Sequence, residues 1–424
     1  MTHFFRPILP VLLGLVAMEL ALGALGPLIG VQLVERDVAN WMIGAVTSAY
    51  FVGFLAGSQS CHHVIDRVGH IRAFCVFAVI ATNCALFFTL VQSPWAWILL
   101  RAVIGYSLAG QFLVIESWLN DKASPETRGK VFATYLVLSW AASGVGPLLL
   151  NVADPTGSVL FVAIAMGFAT ALLPLALTRT GNPEIGERSH FGVAKLFEIS
   201  PLGVTACFGA GLVNAAFYGL APVYVQGIGL EPQHLSVLVT SAIMGGLLSQ
   251  FPIGAAADRF GRRPVMLGAL VAALALATTM LVVKPGFLPL VALFVLYGGA
   301  TAPLYALGVG QTYDYIERRD FVAASGGLLF AWALGASAGP NLGAWIIELA
   351  GPNGLFYYLI GVLGLIGVIT VVRMLKRPAP PAAQQSRFVA ASPDTTRAPH
   401  LDPRVPEDLQ GADGQGAGGQ GEGR

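Results

Sequence analysis

Long charge-free stretches separated by short polar clusters organise this chain. Ten stretches lack Asp, Glu, Lys and Arg and are long enough to cross a bilayer: 38–65, 73–100, 131–153, 155–178, 199–230, 232–257, 264–283, 285–313, 321–347 and 349–372. A helix needs about 20 apolar residues for that crossing. Two more spans follow when isolated charges are admitted: residues 7–34 with Glu19, and residues 95–119 with Arg101 and Glu116. The pattern predicts an all-α polytopic membrane protein with twelve transmembrane helices. Membrane β-strands would instead read as short alternating segments.

Composition narrows the partners. Only 11% of the residues are charged and 55% are hydrophobic, whereas an ordinary soluble domain carries about 25% charge. A soluble globular or disordered chain is excluded, and the lipid bilayer is the first partner. A net charge of +1 offers no steering field for nucleic acid.

Basic residues set the orientation. All Lys and Arg except Arg36, Lys284 and Arg101 fall in the loops on the N-terminal side or in the C-terminal stretch. The positive-inside rule then places both termini in the cytoplasm. The first apolar stretch lacks a small-residue cleavage site and reads as the first span, not as a signal peptide. Cys61, Cys75, Cys84 and Cys207 have no paired spacing, so no disulfide framework is expected.

The chain also repeats. Asp66-Arg67-Val68-Gly69-His70-Ile71-Arg72 and Asp258-Arg259-Phe260-Gly261-Arg262-Arg263 are offset by 192 residues, as are Gly53 and Gly245. Gly146-Pro147 and Gly339-Pro340 are offset by 193. The expected organisation is an N-terminal six-helix bundle (1–178), a cytoplasmic linker (179–200) and a C-terminal six-helix bundle (201–373). A parallel duplication puts a binding site between the halves near mid-membrane. Residues 374–424 are rich in Pro, Ala, Gly and Gln and read as a disordered cytoplasmic tail.

The loop Gly254-x-x-x-Asp258-Arg259-x-Gly261-Arg262-Arg263 resembles the loop motif of the major facilitator superfamily. The first-half copy keeps Asp66, Arg67, Gly69 and Arg72 but has His62 in place of the leading glycine. Arg101 with Gly105 resembles a second family pattern, and Arg128-Gly129 matches the usual start of the fifth span. More narrowly, Ile115-Glu116-Ser117-Trp118-Leu119-Asn120, Tyr218-Gly219-Leu220-Ala221-Pro222-Val223-Tyr224 and Pro252-Ile253-Gly254 resemble the YcaD-like group of bacterial members. The resemblance implies a monomeric secondary transporter of the cell inner membrane. It also implies that Asp66 and Asp258 latch onto helix starts in the opposite half, near Ala323 and Gly129, only when the cytoplasmic side is closed. An anion beside a helix N-terminus is stabilised by roughly 0.3–1 kcal/mol. Glu116 is expected to pair with Arg67 or Arg72.

Glu19 is the sharpest chemical signal. A charge at the bilayer centre costs roughly 2.5–3.5 kcal/mol on insertion scales, so it should face a cavity or a partner. It could exchange a proton, bind a cationic group, or sit in a static pair with Arg101 on the fourth span. Weaker cavity candidates are Gln111, Asn214, Tyr218, Tyr297, Thr301, Tyr305 and Trp332. Polar and aromatic stripes at this spacing serve helix packing as readily as solute contact. Gly146-Pro147 and Gly339-Pro340 predict helix bends. Gly335-x-x-x-Gly339-Pro340-x-x-Gly343 resembles an exporter motif displaced from the fifth span to the eleventh.

Cys61, His62, His63, Asp66 and His70 invite a metal reading, but Gly69 interrupts their helix and no metal site is expected. No phosphate-binding Gly-x-x-x-x-Gly-Lys-[Ser/Thr] loop is present. Glu19 and Arg101 are too few for an enzyme, and no cofactor is implied. The reading is a proton-coupled transporter of a small organic solute, with export favoured. An uptake symporter and a non-transporting sensor or scaffold stay open.

Overall fold

The computed structural model describes residues 7–124, 126–177, 191–376 and 385–393. Among these residues, twelve helices are long and apolar enough to cross a membrane: α1 Leu9–Glu35, α2 Asn40–Val68, α3 His70–Leu90, α4 Pro94–Lys122, α5 Arg128–Asn151, α6 Val159–Ala176, α7 Pro201–Gly227, α8 Pro232–Phe260, α9 Arg262–Val283, α10 Phe287–Tyr313, α11 Arg318–Ala350 and α12 Gly354–Lys376. Each matches one stretch predicted from charge spacing. Prolines at Pro94, Pro201 and Pro232 start α4, α7 and α8, where a missing N–H costs nothing. A short helix, Val193–Ile199, precedes α7.

An even number of spans places the start of α1 and the end of α12 on one face, here called the terminal face. The turns at Gly69 and Gly261 lie there too. Both glycines take positive φ, 82° and 86°, a backbone that disfavours any side chain. Each N–H bonds back to the carbonyl of the residue four earlier, Ile65 or Ala257.

The sequence repeat is also a packing repeat. Gly53 of α2 lies against the Ala102 carbonyl of α4, and Gly105 of α4 against the Tyr50 carbonyl. In the second half Gly245 of α8 meets the Val295 carbonyl and Gly298 of α10 meets the Ala242 carbonyl. A Cβ at any of these positions would overlap the facing backbone. Gly146 on the Leu20 carbonyl has its counterpart in Gly339 on the Leu212 carbonyl. Small residues let membrane helices pack this closely. The glycine run of α11 serves the same end, since Gly335 and Gly339 face α7.

The two proline sites differ. At Gly146 the α-helix of α5 gives way to a 3-10 turn, Gly146–Asn151. The α11 helix runs through Pro340 without a change of helical type.

The halves meet toward the face opposite the termini. Gln226 Nε2 donates to Glu35 (2.8 Å), Asn341 Nδ2 to Ser48 (2.8 Å) and Ser236 Oγ to Asn151 (3.0 Å). Gly30 abuts Pro222, and Gly44 abuts the Pro340 carbonyl. One expectation needs correcting. Residues 374–376 complete α12, and residues 385–393 pack into the terminal face, with Ser392 only 2% exposed. The reading of 374–424 as a disordered tail fails there, because Phe388 and Val389 supply apolar contacts that average composition hides. The rest of that stretch lies outside the described residues, as does most of the linker.

Candidate functional site

Glu19 is 2% exposed in the middle of α1. Ser139 of α5 donates its hydroxyl to the Glu19 carboxylate. The meeting follows from glycine packing: Gly23 lies on the Ser143 carbonyl and Gly146 on the Leu20 carbonyl. Ser139 is one turn from Ser143 on the same helical face.

Arg101 does not pair with Glu19, contrary to one expectation. Its guanidinium carbon lies 4.8 Å from the centre of the Tyr50 ring. The Gly53/Gly105 crossing sets that neighbour, because Arg101 is one turn from Gly105 and Tyr50 contacts that glycine. Nε and Nη1 of Arg101 are buried without a hydrogen-bond partner.

Rings lead from Arg101 across the molecule. Tyr50 and Phe51 are 5.0 Å apart, Phe51 and Trp332 of α11 are 5.6 Å apart, and Trp332 and Tyr305 of α10 are 6.4 Å apart. The structure thus joins Arg101, Trp332 and Tyr305 through Tyr50 and Phe51, which the sequence reading missed. Their signal was an aromatic pair just before Gly53. In a second cluster Phe217 lies 4.5 Å from Tyr297 and 5.2 Å from Tyr218. Thr301 bonds within its own helix to the Tyr297 carbonyl at 3.1 Å.

Several predicted site residues carry unpaired buried polar atoms. They are both amide atoms of Gln111, Asn214 Oδ1, Tyr297 Oη and Trp332 Nε1. An unsatisfied buried polar group costs about 1–3 kcal/mol. Such groups can bond a visiting solute or ordered water.

In this conformation the terminal-face motifs do not engage the helix starts near Ala323 and Gly129. Asp66, Arg67 and Arg72 are exposed. The Ala323 carbonyl instead accepts the Phe191 N–H at 3.4 Å, and Gly327 is covered by Leu196. Asp258 Oδ1 accepts the Phe388 N–H at 2.7 Å, not a group at the start of α5. Gly254 lies under the Phe388 ring. Glu116 accepts the Tyr135 hydroxyl at 2.8 Å instead of pairing with Arg67 or Arg72, which reach solvent. Arg128 Nη2 donates to Asn120 at 3.3 Å. Arg262 pairs with Asp314 at 2.7 Å, Arg263 bonds the Tyr315 hydroxyl, and exposed Arg259 lies 5.2 Å from the Phe260 ring. The physical reason is common to both motifs: other segments occupy the helix starts while the halves meet on the opposite face. No grouping of three metal-ligating side chains occurs among the described residues.

Comparison with known proteins agrees with this architecture. The chain matches the family model described as Major Facilitator Superfamily over residues 11–246 and again over 204–405. It is 29% identical over 366 residues to the uncharacterized MFS-type transporter YcaD of Shigella flexneri, covering 85% of this chain and 94% of that protein. The YcaD proteins of Escherichia coli strains match to the same extent. Among solved structures, the nucleoside transporter NupG superposes with a TM-score of 0.72 at 14% identity, covering 87% of this chain and 98% of that one. The human organic anion transporter MFSD10 superposes with a TM-score of 0.59 at 17% identity, covering 87% and 99%.

Proposed function

The chain belongs to the major facilitator superfamily, and from that premise we propose that it is a proton-coupled secondary transporter moving a small organic solute by alternating access. The observation that carries the reading is Glu19, a carboxyl buried inside a membrane helix and tied to Ser139 across a helix joint. Ionisable groups at this depth mark ion and proton pathways. A proton entering Glu19 neutralises it, and its departure restores the charge. Either event changes the bond that joins α1 to α5.

The solute site proposed is the interior between the halves, near Arg101, Gln111, Asn214, Tyr218, Tyr297, Thr301, Tyr305 and Trp332. Its rings favour an apolar or amphipathic solute. The unpaired amide, hydroxyl and indole groups would supply orientation. The halves meet away from the terminal face, which fits a conformation open toward that face. The basic residues of the terminal-face loops support a cytoplasmic placement of both termini. We assign the protein to a bacterial inner membrane, working as a monomer in the export direction. The loops at Asp66 and Asp258 are proposed to latch the terminal face only when that face closes.

The test is proton movement on solute addition to liposomes holding the purified protein, across a broad solute panel. One solute class should drive protons across the membrane. Solute binding with no proton movement would exclude proton coupling and leave a uniporter, another coupling ion or a receptor. Direction is read from whether the solute accumulates or leaves under an imposed pH gradient.

A further inference from the structure

The cleft between α5 and α8 on the terminal face holds a length of the chain itself. Ser386 is gripped at three atoms. Arg262 Nη2 donates to its carbonyl (2.5 Å) and to its Oγ (2.9 Å), and the Ser386 N–H reaches Asp314 Oδ1 (3.3 Å). Arg262 is fixed for this by its ion pair with Asp314, whose side chain is 2% exposed against 3% for the arginine. Two residues on, the Phe388 N–H donates to Asp258 and its ring covers Gly254. Phe388–Ala391 then line a cavity of about 420 Å³ together with Phe132, Leu136 and Trp140 of α5 and Gln250 of α8.

We infer that the α5/α8 cleft is a binding site for an extended apolar peptide, that residues 385–393 are its resident ligand, and that the bound peptide clamps the opposite face shut. The chemistry of the grip is that of peptide recognition. An arginine takes a backbone carbonyl, two carboxylates take backbone N–H groups, and a glycine leaves room for one ring. The small side chains of Ala390 and Ala391 let the segment lie along the cleft.

The clamp follows from competition for one space and one acceptor. Gly129, at the start of α5, lines the same cavity as Asp258, with Phe388–Ala391 also on its wall. The start of α5 can close onto α8 only if those residues leave. Closure on the terminal face and separation on the opposite face are the two ends of one rocking motion. A segment that blocks the first therefore holds the second. Asp66, the first-half counterpart, is exposed and holds no such segment among the described residues.

What the clamp does rests on the alternating-access reading, while the contact itself stands apart from it. Both are tested in the full-length protein in liposomes. A benzophenone side chain at position 388 should crosslink to peptides within 129–140 and 247–258. The clamp is read from Ser48→Cys, at the α2–α11 contact of the opposite face, where the serine is 3% exposed. Its reaction with a membrane-impermeant maleimide is followed at that peptide by mass spectrometry. Phe388→Asp, which sets a carboxylate against Asp258, and a chain ending at residue 384 should each label several-fold faster than the parent. Phe388→Leu should keep the parent rate. Crosslinks elsewhere or none would overturn the contact. The expected crosslinks with unchanged labelling in Phe388→Asp and the shortened chain would overturn the clamp. Faster labelling in both, with no solute ever moved, would sustain the clamp and defeat the transport reading.

Discussion

Ser139 donates a hydrogen bond from its hydroxyl to the carboxylate of Glu19, joining α5 to α1 inside the membrane. Such a bond responds to proton binding, because a protonated carboxyl can turn donor where the carboxylate only accepts. Glu19→Ala should therefore be a poor test, since it also strands the buried Ser139 hydroxyl and opens a cavity. A loss of about 1–3 kcal/mol is expected from the stranded group alone. Glu19→Gln keeps an acceptor for Ser139 and should unfold at the wild-type temperature. Thermal unfolding in detergent separates the two. Equal destabilisation by both would show that charge, not the hydrogen bond, holds this joint.

The glycine crossings make a symmetric prediction. Gly53→Ala and Gly245→Ala each force a Cβ into a facing carbonyl, at Ala102 and Val295. Overpacking costs about 1–3 kcal/mol and sometimes more. Both variants should lose monodisperse protein on size-exclusion chromatography to a similar degree. Gly361→Ala meets nothing within 4 Å and should be neutral or slightly stabilising, as alanine favours helix by up to about 1 kcal/mol over glycine. A tolerant Gly53→Ala beside a sensitive Gly245→Ala would break the packing repeat.

Burial separates two arginine–carboxylate pairs near the terminal face. The Arg262–Asp314 pair is 3% and 2% exposed, whereas the Arg319–Glu317 pair is 67% and 70% exposed. Asp314→Asn leaves a buried guanidinium without its counter-charge, a loss of about 3–5 kcal/mol. Glu317→Gln should change stability by less than about 1 kcal/mol. Denaturation midpoints of the two variants check the ranking, and Glu317→Gln as the more damaging one would contradict it.

The ring path predicts a split in binding. Trp332 touches Phe51 of the first half and Tyr305 of the second. Trp332→Phe keeps an aromatic wall but drops the unpaired indole N–H, and should weaken solute binding modestly. Trp332→Ala removes the bridge between halves and should raise the solute Kd about tenfold, equal to about 1.4 kcal/mol. Equilibrium binding of the solute found in the panel measures both. Unchanged binding in Trp332→Ala would move the site away from these rings.

How much of this was legible beforehand depends on whether the information was local. Charge spacing marked all twelve helices because the bilayer imposes one length on every span. The offset of Asp66 and Asp258 announced the duplication, and the paired glycines then repeated it in packing. Glu19 stood out because a lone carboxyl in a hydrocarbon span needs a partner. That the partner is Ser139 and not Arg101 was not legible, because it depends on which faces of α1, α4 and α5 meet. Tyr50 and Phe51 were missed because aromatic residues are common in spans and only tertiary contact singles them out. The docked 385–393 segment escaped for a different reason. Its surroundings set the composition of residues 374–424, while four residues with Phe388 at their head suffice to fill a groove.

The central claim is that Glu19 couples solute movement to protons, and one paired measurement in liposomes reaches it directly. Solute exchange at equal pH is compared with solute movement driven by a pH gradient, for wild type and Glu19→Gln. Glu19→Gln should exchange solute at a rate near wild type and lose the gradient-driven movement. Gradient-driven movement in Glu19→Gln at the wild-type rate would contradict the claim and return Glu19 to a structural role.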